Sequence, residues 1–146
     1  MPSVREQIVS AFFNELKTLE SSLIKVVRNP DKAMKVLEKG AIITLQDGES
    51  GEPEVLLSPL TYIYEHIATI ELVVNTAYAQ SQGTTLDDLL MIIENLILAD
   101  RTLGGLAEWV EARAPEFIQE VVEGAPAMRA ANVNVMMRFH TASPLH

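Results

Sequence analysis

The chain has 146 residues, 20 acidic side chains against 11 basic ones, a formal charge of −9 and no cysteine. That length suits one domain with its own core; the missing thiols exclude thiolate zinc sites, iron–sulfur clusters and cysteine nucleophiles. The acidic balance argues against an exposed nucleic-acid-binding face, though it suits a surface that DNA slides past. No run approaches the roughly 20 apolar residues of a membrane span, and no basic region followed by an apolar core opens the chain, so a soluble intracellular protein without a membrane partner is expected.

Ser3-Val4-Arg5-Glu6 matches a helix capping box. Val4, Ile8, Phe12, Leu16 and Leu19 follow at helical spacing, broadened by Val9 and Phe13, and predict a helix to about Leu19. Leu23 to Arg28 reads as a short strand stopped by Asn29-Pro30. The next nine residues carry Lys32, Lys35 and Lys39 and read as a helical turn or an irregular loop, ended by Gly40. Ala41 to Gln46 predicts a second strand, and Glu54 to Ser58 resumes extended structure before Pro59. The polar run between them contains Asp47-Gly48, so the two flanking runs are expected to form a hairpin with a long acidic tip. Asp47, Glu49 and Glu52 are candidates for a loop facing a partner or a lumen.

Leu60 to Asn75 is free of Gly, Pro and Lys and dense in β-branched and aromatic residues, which predicts a long central strand. Its even positions are nearly all apolar, whereas the odd ones mix Ile63, Ile67 and Val73 with Glu65, Thr69 and Glu71. One face is therefore core, and the other, which keeps Ile63, Ile67 and Val73, is expected to meet another subunit or a mobile loop. A polar connection leads to Thr84-Thr85, hydroxyl caps for a second helix whose buried stripe is Leu86, Leu89, Leu90, Ile93, Leu96 and Ile97. Met91, Ile92 and Leu98 make that helix apolar on more than one face, as expected between a sheet and other protein. Gly104-Gly105 reads as its left-handed C-terminal exit. Ala107 to Glu111 looks extended, 116–123 reads as strand in preference to short helix, and Met128 to Thr141 alternates cleanly as a last strand.

Motifs for chemistry are scarce. The three histidines, His66, His140 and His146, have no second ligand at metal-binding spacing, and His66 on an apolar face reads as a hydrogen-bonded core residue. Gly104-Gly105 follows a helix, the wrong polarity for holding a phosphate. Lys25, Arg28, Lys32, Lys35 and Lys39 gather without interleaved aromatics, which suits solvation or a subunit contact better than nucleic-acid readout. Lys32, Lys35 and Lys39 are the candidate contacts.

Four features resemble, in kind and order, the small tail terminator or tail completion proteins of long-tailed bacteriophages and prophages. They are the run Ala99-Asp100-Arg101-Thr102-Leu103-Gly104-Gly105-Leu106-Ala107 closing an amphipathic helix, Arg28-Asn29-Pro30 after the first short strand, Asp47-Gly48, and Gly124-Ala125-Pro126 before the final strand. The likeness in element order covers essentially the whole chain, 1–146, as a single domain. It implies an α+β fold with a mixed or mostly antiparallel sheet packed against two helices. It implies a virion structural protein, assembled in the host cytoplasm as a homo-oligomer, a hexameric ring. Such a ring caps the tail tube, terminates its polymerisation and presents a surface for head–tail joining. The implied partners are the tail tube protein and the neck or connector proteins, with DNA passing through the lumen without specific binding. The resemblance carries over no catalytic residue, cofactor or metal. A head–tail connector or neck ring subunit is the nearest alternative. A small dimeric ligand-binding domain or enzyme using Tyr62, Tyr64 and His66 in a pocket, and a stand-alone adaptor, are more distant ones.

Overall fold

Alternation of apolar and polar side chains over 16 and 14 residues produces two long strands, β4 (Leu60–Asn75) and β7 (Met128–Thr141), which pair antiparallel from Tyr62↔Thr141 to Asn75↔Met128. The computed structural model describes residues 2–30, 40–75, 85–118 and 128–146. Lys32, Lys35, Lys39, the polar connection 76–84, residues 119–123 and Gly124-Ala125-Pro126 lie outside the described residues. Around the central pair stand α1 (Val4–Lys17), β1 (Ile24–Arg28), β2 (Ala41–Glu49), β3 (Glu54–Leu57), α2 (Leu86–Ala99), β5 (Trp109–Ala112) and β6 (Glu116–Ile118). The strand order is β1-β2-β4-β7-β5, with β3 beside the start of β4 and β6 farther along β7. Only the β1–β2 pair is parallel among these ladders, so the sheet is mixed. Both helices pack against it, and the fold is α+β. No helix among the described residues is long and apolar enough to cross a membrane.

The even side chains of β4 and the odd ones of β7 form the sheet's share of the core. Ile70, Leu72, Val135 and Met137 are buried there against Ile8, Phe12 and Leu16 of α1 and Leu89, Ile93 and Ile97 of α2. Burying a side chain such as Phe12 or Leu89 stabilises the fold by roughly 1.5–3 kcal/mol each. Leu90 and Leu96, expected in the buried stripe of α2, lie at its margin, partly buried.

The helix starts form as their sequences require, with one difference. At α2, Thr85 Oγ1 accepts from the Asp88 N–H and the Asp88 carboxylate accepts from the Thr85 N–H, a complete capping box. At α1, Ser3 Oγ accepts from the Glu6 N–H at 3.2 Å, but the Glu6 carboxylate turns to Arg28 and Ser10. Only half of the expected box forms, because an arginine is a stronger partner for a carboxylate than a backbone amide is.

The expected hairpin between the runs flanking Asp47-Gly48 does not form. β2 pairs with the later half of β4, and β3 pairs with its start, Leu57 facing Leu60 across a turn that holds a cis Ser58–Pro59 peptide. The hairpin is therefore β3–β4. Asp47-Gly48 is a bulge inside the β2–β4 ladder, where the register shifts between Gln46 and Glu49. Gly48 takes φ +71°, and a Cβ there would sit 1.8 Å from the Ile67 carbonyl oxygen. Turn chemistry was legible in the sequence; its use as a bulge depends on the partner strand.

Gly104-Gly105 is likewise not the cap of α2. The helix ends at Ala99 with Asp100 as its cap residue, and the Asp100 carboxylate gathers the N–H groups of Thr102 and Gly104 at 3.3 and 2.9 Å. The chain then passes through three consecutive residues at positive φ, Leu103, Gly104 and Gly105. Replacing Gly104 and Gly105 by valine should destabilise the fold by roughly 1–3 kcal/mol, visible as a lower melting temperature. A Cβ meets nothing within 4 Å at either position, so the loss is conformational; an unchanged melting temperature would contradict it.

Candidate interaction surfaces

The two helices leave the other face of the sheet uncovered by them. There Ile63, Ile67 and Val73 stand half-buried, opposite His140, Met136 and Ala130 of β7. Polar ties run between these apolar residues: Thr69 Oγ1 donates to Asn134 Oδ1 at 2.9 Å, and Arg138 donates to Glu65 and Glu108, each at 3.1 Å. His140 Nδ1 donates to the second oxygen of Glu108 at 2.7 Å. The His140 contact first, and Arg138 with it, holds the Glu108 carboxyl below its ordinary range against the opposing effect of burial. On this face half-buried apolar side chains thus alternate with paired polar and charged ones.

Asp47, grouped with Glu49 and Glu52 as a loop residue, is committed inside the fold. The bulge aims its carboxylate at Arg28, whose guanidinium donates to Asp47 at 2.7 and 2.9 Å, to Glu6 at 3.0 and 2.9 Å and to Ser10 Oγ at 3.2 Å. Five donated bonds use the whole guanidinium fork. Arg28 depresses the Asp47 and Glu6 carboxyls, and they in turn raise its own pKa. Arg28 thus ties α1 to β1 and the β2 bulge and does not act as a free contact cation. Glu49 and Glu52 remain exposed.

His66 is buried in the core row of β4, as its apolar face predicts. Its Nε2–H donates to the Asp47 carbonyl, leaving Nδ1 to accept from Ser50 Oγ at 2.8 Å. Burial lowers its pKa, which favours this neutral form. Tyr64 stacks on Phe139 with centroids 5.4 Å apart and lines a cleft of about 320 Å³ with Arg5, Glu49 and Ser50. Of the three residues of the ligand-binding alternative, which share one face of β4, only Tyr64 lines that cleft. No group of side chains suited to a metal ion occurs among the described residues.

Two further surfaces were not anticipated. Val55, Leu56, Leu57 and Leu60 of the β3–β4 hairpin are exposed, Leu57 at 80%. At the opposite edge of the sheet Trp109, Phe117 and Ile118 are exposed, Phe117 at 58%. In the sequence Ser58-Pro59 marks a turn, but the apolar Leu56, Leu57 and Leu60 around it do not by themselves show an exposed hairpin tip. Met91, Ile92 and Leu98 add an exposed apolar strip on α2.

The strand edges differ in protection. On β1, the Val26 N–H donates to the Glu20 carboxylate and the Val26 carbonyl accepts from Lys17 Nζ, each at 3.1 Å, while Lys17 and Glu20 pair at 2.8 Å. Ser21 similarly satisfies both backbone groups of Ile24. On β5, the Val110 carbonyl accepts from Arg101, whose guanidinium lies 4.4 Å from the Trp109 ring centre. Beyond their ladders with β4 and β7, β3 and β6 have no such caps among the described residues. A scan against protein-family models finds no match for this chain, and a search of curated proteins finds none.

Proposed function

We propose that this chain is a structural ring subunit of a phage virion, a tail terminator that caps the tail tube and offers its other side for head–tail joining. The observation that carries this reading is the distribution of exposed apolar side chains. They lie in separate patches, on the β3–β4 hairpin, along α2 and on the β5–β6 edge, with Leu57, Met91 and Phe117 each more than half exposed. A subunit in a ring must meet a neighbour on either side as well as the tube and the neck, and several separated patches suit that need. The half-buried Ile63, Ile67 and Val73 extend the apolar area on the sheet's outer face. In this reading the protein works through shape and subunit contacts, and its negative charge keeps DNA from adhering to the lumen.

Mass measurement of the purified chain, combined with negative-stain imaging in the presence of tail tubes, tests the proposal. Rings in solution, or rings templated on tube ends, are expected. A stable dimer indifferent to tubes would sink it.

A further inference from the structure

We infer that successive subunits join edge to edge, the β3 hairpin of one copy adding to the β6 edge of the next. This inference rests on the ring reading and specifies its interface. Exposed edge strands are templates for pairing, and proteins ordinarily block them. This chain blocks β1 with Lys17, Glu20 and Ser21 and β5 with Arg101. It leaves β3 and β6 uncapped among the described residues, and places large apolar side chains on both. Alternate residues of an antiparallel edge strand turn their N–H and C=O outward, so β3 and β6 each offer backbone groups to an incoming strand.

Charge favours a pairing of unlike edges. Glu49, Glu52 and Glu54 flank the hairpin, and among the described residues only Glu54 has a cation within reach, Arg138 at 4.0 Å. Two β3 edges placed together would bring these acids against their own copies. On the other side of the sheet Arg113 and Arg129 bracket β6, and neither has an ionic partner among the described residues. Among the described residues Glu111 and Glu116 share that edge with the two arginines, so their charges balance, whereas those of the hairpin, Glu49, Glu52 and Glu54, are all acidic.

Position favours closure. β3 lies against Leu60–Ile63 on one side of the sheet, and β6 lies against Ala130–Asn132 on the other. Because Tyr62 pairs with Thr141 and Val73 with Ala130, the two edges also sit at opposite ends of the central ladder. Their offset of about ten residues corresponds to roughly 30 Å along the strands. Joining them tilts each subunit against the next in a heterologous contact, which closes a ring when the rotation permits.

The chain has no cysteine, so Leu56→Cys and Phe117→Cys each introduce a lone thiol on an exposed side chain. The variants are treated with a short bis-maleimide, separately and mixed, alongside negative-stain imaging of the unmodified chain with tail tubes. A cross-linked dimer in the mixture and in neither variant alone is the expected result. Separately, Leu57→Asp, at a side chain 80% exposed, should weaken self-association at least tenfold by sedimentation with an unchanged thermal melt. Cross-linking of Leu56→Cys to itself would mean like edges pair and would overturn the inference. Rings or capped tubes without the mixed cross-link would overturn the edge assignment and leave the ring reading standing. No assembly and no cross-link would overturn both.

Discussion

Alanine in place of Gly48 lowers the free energy of unfolding by roughly 2–5 kcal/mol. The added Cβ would lie 1.8 Å from the Ile67 carbonyl oxygen, 2.9 Å from its carbon and 3.1 Å from the Ala68 Cα. All three belong to the backbone of the central strand, so no flexible side chain can yield. Left-handed φ at this position adds the ordinary strain of a side chain there. Relief requires the bulge to move, which disturbs the Asp47 carbonyl that holds His66 and the Asp47 carboxylate that holds Arg28. Gly51 provides the control: its φ is +65°, but nothing lies within 4 Å of a Cβ, so alanine there should cost only about 1 kcal/mol. Urea unfolding of the two variants measures the contrast, and equal midpoints would show that the close approach to Ile67 does not matter.

Replacing Arg28 with methionine should cost roughly 2–4 kcal/mol at neutral pH. The lower part of that range is favoured because Glu6 and Asp47 are partly solvated. The substitution keeps much of the aliphatic stem and removes all five donated bonds, leaving two carboxylates near one another without their cation. The pH profile separates this effect from lost packing. Glu6 and Asp47 have lowered folded-state pKa values, chiefly through Arg28, so below about pH 4 the unfolded chain binds more protons and the cluster's contribution is lost as pH falls further. His66 is lowered by burial and adds a separate loss as pH falls below about 6.5. Unfolding free energies from pH 8 to pH 3 should therefore show both declines in the natural chain. In Arg28→Met the decline near pH 4 should flatten while the one due to His66 remains. An unchanged slope near pH 4 would show that Arg28 does not set the acid response.

The apolar side chains that the core leaves wholly or partly exposed were in part legible in the sequence. Ile63, Ile67 and Val73 stood out because a period-two pattern assigns each side chain to a face without knowledge of its neighbours. Met91, Ile92 and Leu98 stood out by the same reasoning on a helix. The hairpin at Leu56–Leu60 was hidden, because a short apolar run reads as core unless the strand beside it is known.

Local patterning determined the spans of β4 and β7, the starts of both helices and the centre of the buried stripe of α2, Leu86, Leu89, Ile93 and Ile97, since each depends on residues within a few positions of one another. Tertiary structure decided that Asp47-Gly48 bulges against Ile67 instead of closing a hairpin, because a glycine at positive φ serves either use and the partner strand decides between them. It also decided that Arg28 is spent within the fold. Its carboxylates lie 22 residues before it and 19 after it, and chain folding alone brings such distant charges into one cluster.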